Sequence, residues 1–226
     1  MKKLRICFSF ILLVIAIGSA QESSDIEISL SSGFAFPSSP MSFSDYWKMQ
    51  YGGGIGAGIA LSQSITISGN IEYYQFTLDN DGLTEGFDTK YMRDIWVFNN
   101  VSLKPSADPS SVMTLSTNVR MVPSGLSGSL SPYFIAGAGV MSFSLSEITL
   151  PTKSIISVDG SDITMVAKQR IIGGDETVPF VQFGMGLDYP LAESLNIFVE
   201  ARYSRGLNKG IGTTYVPLVL GVKFRM

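Results

Sequence analysis

The last stretch of the chain, Thr213 to Met226 (TTYVPLVLGVKFRM), constrains the fold more than any other. Val216, Leu218, Leu220, Val222, Phe224 and Met226 share one parity, and Pro217, Val219, Gly221, Lys223 and Arg225 share the other. Alternation with period two means a strand whose two faces meet different surroundings. One face is apolar throughout, and the other ends in two cations with no acid beside them in sequence. Such a strand needs an apolar medium on one side and a polar interior on the other.

The start of the chain bears on how it meets such a medium. Lys2, Lys3 and Arg5 form a basic region, Ile6 to Ile17 an apolar one, and Gly18-Ser19-Ala20 a small-residue cleavage site. Together they read as a secretory signal peptide over residues 1–20, cut before Gln21. The apolar run is too short for a transmembrane helix, which needs about 20 residues. Beyond it there is no apolar run of the roughly 18 residues a spanning helix requires, so any crossing must be made by strands. Cys7 is the only cysteine and lies inside the signal. Residues 21–226 therefore read as one domain held by neither disulfides nor thiol chemistry.

Weak alternation in segments of about 10 residues, the mark of barrel strands, recurs along the chain. Asp25 to Phe36 sets Ile26, Ile28, Leu30, Phe34 and Phe36 against Glu27, Ser29, Ser31 and Gly33. Pro37 to Gln50, rich in Ser, Pro and aromatics, reads as a loop. Tyr51 to Ser62 sets Ile55, Ala57, Ile59 and Leu61 against alternating glycines, and turns at Ser62-Gln63-Ser64 into Ile65 to Thr77. Val112 to Val122 sets Met113, Leu115, Val119 and Met121 against Thr114, Ser116, Asn118 and Arg120. Pro132 to Ser146 is a strand whose faces stay unassigned, because both parities are apolar or small. Pro179 to Tyr189 sets Val181, Phe183, Met185 and Leu187 against Gln182, Gly184, Gly186 and Asp188. Leu195 to Arg205 alternates in the same way before the final strand.

That makes eight strands. Short turns join them on one side, and two long segments, about 78–111 and 147–178, lie on the other. Ile95 to Leu103 has strand character, but counting it as spanning gives nine strands, and bacterial single-chain barrels have an even number. It is therefore placed inside the acidic second loop as an extramembrane extension. Ten strands stay open if the third loop supplies another. Val158-Asp159-Gly160-Ser161 in that loop has hairpin chemistry. The expectation is an all-β, transmembrane, antiparallel up-and-down β-barrel with short periplasmic turns and two long extracellular loops.

The residues SPYFIAGAGV (Ser131–Val140), VQFGMGLDYPLAESLNIFVEARYS (Val181–Ser204) and YVPLVLGVKF (Tyr215–Phe224) resemble the OmpA/OmpX-type outer membrane protein β-barrel family. GFAFPSSP (Gly33–Pro40) and GGGIGAGIALSQSITISGNIEYYQF (Gly52–Phe76) agree with it. The resemblance covers nearly all of residues 21–226 except the two long loops. It implies the outer membrane of a Gram-negative-type bacterium, with outer-membrane lipid around the barrel and the barrel assembly machinery as a partner during biogenesis. Chains of this family usually end in an aromatic residue that the machinery reads. This one ends in Met226, with Phe224 two residues earlier on the same face, so those two residues would carry the C-terminal assembly signal.

The chemistry the chain can perform is narrowed most by an absence. It contains no histidine, which removes the usual general base, the usual proton shuttle and the commonest metal ligand. The familiar outer-membrane barrel enzymes use one, so no enzyme activity, catalytic residue, metal or cofactor is expected. The acids Asp79 and Asp81 fall in a loop and read as solvated surface, and DNDG (Asp79–Gly82) lacks the remaining ligands of an EF-hand. The G-x-G-x-x-A pattern at Gly52, Gly54 and Ala57 lacks the helix that a nucleotide site needs. Those glycines read instead as making room for large inward groups across the lumen, or as permitting strand curvature.

The polar faces do carry a pattern. Glu27, Glu72, Asp188 and Glu200 fall on them, with Arg120, Arg202, Lys223 and Arg225 to balance. An eight-stranded barrel is just wide enough to be filled by side chains, and charges in a narrow lumen need partners. The expected function is an integral outer-membrane barrel with a structural or surface-interaction role, its lumen plugged by this charged network. A small, weakly conducting porin-like channel is the alternative. Ligands would bind at the long loops. The whole chain has net charge −3, and about −6 once Lys2, Lys3 and Arg5 are removed, which argues against nucleic acid. A monomer is expected. Tyr46, Trp47, Tyr51, Tyr73, Tyr91, Trp96, Tyr133, Tyr189, Tyr203 and Tyr215 read mostly as interfacial anchors.

Overall fold

The computed structural model describes residues 26–86, 97–98, 101–102, 105–123, 130–158, 161–171, 173–208 and 212–226. The signal segment and its cleavage site, and Tyr91 and Trp96, lie outside them. In chain order the elements are β1 (Ile26–Ser39), α1 (Met41–Ser44), β2 (Trp47–Ser62), β3 (Ile65–Leu78), α2 (Asn80–Gly86), β4 (Val97–Phe98) and β5 (Val101–Ser102). There follow β6 (Ser110–Met121), β7 (Ser131–Leu145), β8 (Ile148–Val158), β9 (Ser161–Ile171), β10 (Gly174–Ala192), β11 (Leu195–Gly206) and β12 (Thr214–Arg225).

Eight of the strands close into one antiparallel barrel in the order β1-β12-β11-β10-β7-β6-β3-β2. Consecutive barrel strands are neighbours throughout, and the seam joins first to last. At that seam Glu27 stands opposite Arg225 and Pro37 opposite Tyr215. Ile26 and Met226 exchange two backbone hydrogen bonds, 3.1 and 2.8 Å long. Closure removes the free edges that no strand could leave unpaired in lipid.

The tenfold alternative is excluded by where the remaining strands go. β8 and β9 form a separate hairpin, from Ile148 opposite Ile171 to Val158 opposite Ser161, and β4 pairs only with β5. Both lie in the long connections. The Ile95–Leu103 segment thus supplies a small extramembrane ribbon in its described part and no barrel strand.

Two boundaries differ from the sequence reading. Pro37 to Gln50 is mostly not loop: β1 runs on to Ser39 and β2 begins at Trp47. The third loop is also shorter than expected, because β10 begins at Gly174. β2, β7 and β10 contain 16, 15 and 19 residues, whereas about 9–11 suffice to cross a bilayer. The barrel therefore rises well past any membrane at the end carrying the long connections, here the loop end. The opposite, turn end holds the tight reversals at 63–64 and 193–194.

Outward side chains show where the membrane lies. Leu30, Phe34, Ile55, Ile71, Met113, Phe134, Phe183, Met185 and Leu220 are all exposed, and with their neighbours they girdle the barrel. An apolar surface of that extent is a lipid-facing belt. Towards the loop end the outward positions turn polar, at Gln75, Ser111, Ser142, Asp175 and Thr177. The inward positions at that level turn apolar, at Tyr74, Phe76, Val112, Met141, Val178 and Phe180, all buried. Polarity inverts along single strands.

Candidate functional site

The candidate site is the barrel interior, and the inward parity of each strand builds it. Seven charged side chains are buried there: Glu27 from β1, Glu72 from β3, Arg120 from β6, Asp188 from β10, Glu200 and Arg202 from β11, and Lys223 from β12. They fall into two groups.

Nearer the turn end, the Arg120 guanidinium forks between two acids. Its Nη2 donates to Glu27 Oε2 at 2.9 Å and to Thr66 Oγ1 at 3.1 Å, while Nη1 donates to Asp188 Oδ2 at 2.5 Å. Lys223 Nζ donates to the other Asp188 oxygen at 2.7 Å. Two carboxylates thus meet two cations, with the planar fork of arginine suited to bridging acids on separate strands. Tyr133 adds to this group: Lys223 Nζ lies 4.4 Å and Arg120 Cζ 5.4 Å from its ring centroid. Lys223 is also 4.5 Å from the Phe198 ring centroid. The negative ring faces favour the cations they cover.

Further towards the loop end, Arg202 is 3% exposed and serves two acids at once. Nη1 and Nη2 donate to Glu72 Oε2 and Oε1 at 3.0 and 2.5 Å, and Nε stands 2.9 Å from Glu200 Oε1. The Tyr133 hydroxyl donates to the other Glu200 oxygen at 2.8 Å, tying the two groups together. Gln182 extends the network, its amide nitrogen donating to Asn118 Oδ1 at 2.5 Å and to Ser116 Oγ at 3.3 Å. Ion pairs therefore cross the lumen from β11 to β3 and from β6 to β1 and β10.

Glycines make these reaches fit, but beside the large side chains, not across the lumen from them. Gly186 lies between Tyr133 and Glu200 in the sheet register, and a Cβ there would collide with the Tyr133 ring and hydroxyl. The tyrosine lies over that glycine to reach Glu200. Gly54 stands opposite Glu72 in the same way, where a Cβ would run into the Glu72 side chain. The Gly52–Ala57 motif is strand interior that turns into β3, so it has no nucleotide-site context.

Arg225 departs from the sequence-derived set. It follows the inward parity but is exposed at the turn end, and it makes no ion pair among the described residues. Phe224 and Met226 are exposed at the same end, Phe224 on the lipid-facing side of β12. Tyr133, Gln182, Asn118 and Thr66 belong to the network although only formal charges were singled out from sequence. Gln182, Asn118 and Thr66 share the inward parity of the charged residues, a signal available in sequence. Tyr133 had no such signal, since both parities of its strand are apolar or small.

The mouth at the loop end is built differently. Tyr74, Phe76, Val112, Met141, Val178, Phe180 and Tyr215 form one apolar cluster with Phe43, Trp47, Leu83, Ile148 and Leu150. Phe43 of α1 sits edge-on to Phe76 and Phe143, with centroids 4.8 and 5.1 Å away. Leu83 of α2 has no exposed surface. Both short helices thus fold inward over the opening. Asp79 begins α2 by accepting the backbone N–H groups of Asp81 and Gly82 at 3.0 and 2.9 Å, and it pairs with Lys48 at 2.9 Å. Burial alone would raise its carboxyl, but the Gly82 amide and the Lys48 ammonium outweigh this and hold it below its ordinary value. Of the DNDG acids, Asp79 thus caps the helix, and Asp81 pairs with Lys48 at 3.2 Å. Trp47, Tyr133 and Tyr215 are buried inside the barrel, not at a membrane interface; Tyr51, Tyr73 and Tyr189 are exposed outside it.

A cavity of about 50 Å³ remains beside the ion pairs, against the small-residue wall of β1 to β3. Ser29, Ser31, Ser68 and Asn70 line it, together with three acids, Glu27, Glu72 and Glu200, and three cations, Arg120, Arg202 and Lys223. No group of three acids among the described residues is arranged to hold a metal.

No protein-family model matches the sequence, and no curated protein matches it. Solved structures do. Neisserial surface protein A is similar over 91% of this chain and 100% of its own, at 14% identity and a TM-score of 0.54. OprG of Pseudomonas aeruginosa matches 91% of this chain and 97% of its own, at 11% identity and 0.49. Ail, the attachment invasion locus protein of Yersinia pestis, matches 91% and 100%, at 10% identity and 0.48. At such identities the likeness to Neisserial surface protein A concerns fold: the chain has the closed eight-stranded barrel of outer-membrane proteins.

Proposed function

We propose that this chain is exported under a cleaved signal peptide and works as a closed, non-enzymatic barrel in the outer membrane of a Gram-negative-type bacterium, with a structural or surface-interaction role. The observation that carries this reading is a lumen with two unlike barriers in series. Ion pairs around Arg120 and Arg202 cross it, and the aromatic cluster capped by α1 and α2 fills its mouth. A hydrated ion would have to shed water against the second barrier and separate paired charges at the first. Among the described residues every buried charged group is already committed to a partner, and the sequence has no histidine to move a proton.

In this reading the turn end faces the periplasm, and Phe224 and Met226 are presented there to the barrel assembly machinery. The connections 79–109 and 146–173 stand outside the cell, where ligand-binding residues concentrate on loops held by a rigid scaffold. Outer-membrane lipid surrounds a monomer, no nucleic acid is bound, and no cofactor is required. The test is single-channel conductance of protein independently shown to be inserted in a planar bilayer. Silence is expected; stable openings would overturn closure. The cavity of about 50 Å³ is what favours the second reading, a small weakly conducting channel. Deleting both long connections separates the two: a surface binder loses its partner, whereas a channel keeps or gains conductance.

A further inference from the structure

Closure leaves the barrel itself without edges, but the ribbon β8–β9 stands outside it. The base of the ribbon is fixed at the mouth, where Ile148 and Leu150 are buried. From Leu150 its register pairs run on to Val158 opposite Ser161, about 25 Å further at the rise of an extended strand. Its two edges differ. On the β8 side, Ser106 and Thr149 exchange two backbone hydrogen bonds, 3.1 and 2.8 Å long, and Pro151 and Lys153 then interrupt the edge. Proline and lysine are residues that keep other strands off an edge. On the other side, β9 pairs only with β8 among the described residues. It leads into β10, whose neighbour β11 is followed by the short connection 207–213. Ile163 to Ala167 (ITMVA) holds no charge, proline or glycine. A two-stranded ribbon is marginal in water, and an edge of this kind favours the addition of a strand.

The charges of β9 say which strand suits it. Asp162 lies three residues before Met165, and Lys168 three residues after it. Two copies of β9 paired antiparallel about a two-fold axis at Met165 therefore set each Asp162 opposite the partner's Lys168. Ile163 then stands opposite Ala167, and Thr164 opposite Val166. Opposite charges directly across a strand pair stabilise it, and like charges destabilise it. Parallel pairing in register would bring Asp162 to Asp162 and Lys168 to Lys168. The edge thus selects an antiparallel copy of itself, the self-complementary contact of a two-fold dimer. Direction then decides where that copy sits, because β9 runs from the tip of the ribbon towards its own barrel. Copies side by side in one membrane point the same way and would have to pair in parallel. An antiparallel copy has its barrel at the far end, with the two mouths about 40 Å apart.

We propose that β9 joins two copies of this chain held in facing membranes, which makes the barrel a homophilic contact between cells. This contact rests on the reading that the connection 146–173 stands outside the cell. Each barrel keeps its own lipid surround and stays a monomer within its membrane. The full barrel is reconstituted into two vesicle populations with different lipid dyes, and docking is read as two-colour coincidence of single particles. Wild-type vesicles are expected to dock with one another and not with barrel-free vesicles. Asp162→Lys and Lys168→Asp, each alone, are expected to lose docking, because the facing charges then repel. Mixing the two variants is expected to restore docking between unlike vesicles, which also shows that both are folded. Wild-type vesicles that stay apart overturn the proposal. So does docking that is unchanged in either variant, or that extends to barrel-free vesicles and so reports lipid binding. Variants that fail alone and stay silent when mixed overturn it too. Conductance judges closure and docking judges this contact, so the two can fail separately.

Discussion

The two halves of this barrel use the same strands in opposite ways. In the membrane half, β10 turns Gln182 and Asp188 inward and Val181, Phe183, Met185 and Leu187 outward. Past the membrane, the same strand turns Val178 and Phe180 inward and Asp175 and Thr177 outward. β3 inverts between Glu72 and Phe76, and β6 between Thr114 and Val112. The cause is the solvent. Lipid rewards apolar surface outside and leaves the lumen as the place for polar groups. Water reverses that preference, and the loop end packs an apolar interior as a soluble domain does. Backbone pairing runs through the change of phase, so one continuous sheet serves both solvents.

The contrast can be broken from either side. The largest effect is expected in the membrane half, from Arg202→Met. It strands Glu72 and Glu200 without their cation, at a cost of about 3–5 kcal/mol, read from the denaturant midpoint of protein in micelles. Phe76→Ala attacks the other half. Loss of a fully buried ring there should cost about 3–5 kcal/mol and expose the loop end to protease. Because the ion pairs stay intact, conductance should not change; openings in this variant would mean that the mouth alone keeps the barrel closed.

A lysine placed along the outside of β10 maps the boundary itself. Met185, 61% exposed to what is read as lipid, should lose about 2–4 kcal/mol as Met185→Lys. Thr177→Lys, placed past the belt, should change folding stability by less than about 0.5 kcal/mol. Equal costs at the two positions would refute the assigned boundary. Gly186→Ala is a finer probe of lumen packing. The new methyl group displaces Tyr133 from Glu200, for about 1–3 kcal/mol of overpacking visible in the same denaturation assay.

The smallest effect comes from the cap. Asp79 is held below its ordinary carboxyl value in the folded protein. Its contribution is therefore complete above the unfolded carboxylate range and is lost as pH falls through the lowered folded value. Most of this group is near solvent, so the contribution is under about 1 kcal/mol. Asp79→Asn keeps the cap oxygen and should flatten only this acid-side loss, a difference that stability curves at descending pH would register.

How legible each half was in the sequence follows from the same inversion. Membrane strands such as Leu195 to Arg205 announce themselves because lipid and lumen demand opposite residues in strict alternation. The Glu72–Arg202 and Arg120–Asp188 partners were visible as inward charges, though not who pairs with whom. The loop-end half was hidden. In Pro37 to Gln50 the aromatics Tyr46 and Trp47 sit among Ser and Pro, and nothing local says that Trp47 begins an inward-facing strand. Tyr133 was hidden too, since Ala136, Gly137, Ala138 and Gly139 leave both faces of β7 small. Only the register that sets it beside Gly186 aims its hydroxyl at Glu200.

The sequence by itself determined that this chain crosses a membrane by strands, because period-two alternation is a local property written residue by residue; that eight and not ten close the barrel was decided by the structure. It also marked eight charges on the inward parity, of which all but Arg225 are buried. The tertiary structure alone decided which of them meet and that Arg225 stays exposed at the turn end. Those outcomes depend on strand stagger and closure, which bring together residues as distant as Glu72 and Arg202 and which no single segment encodes.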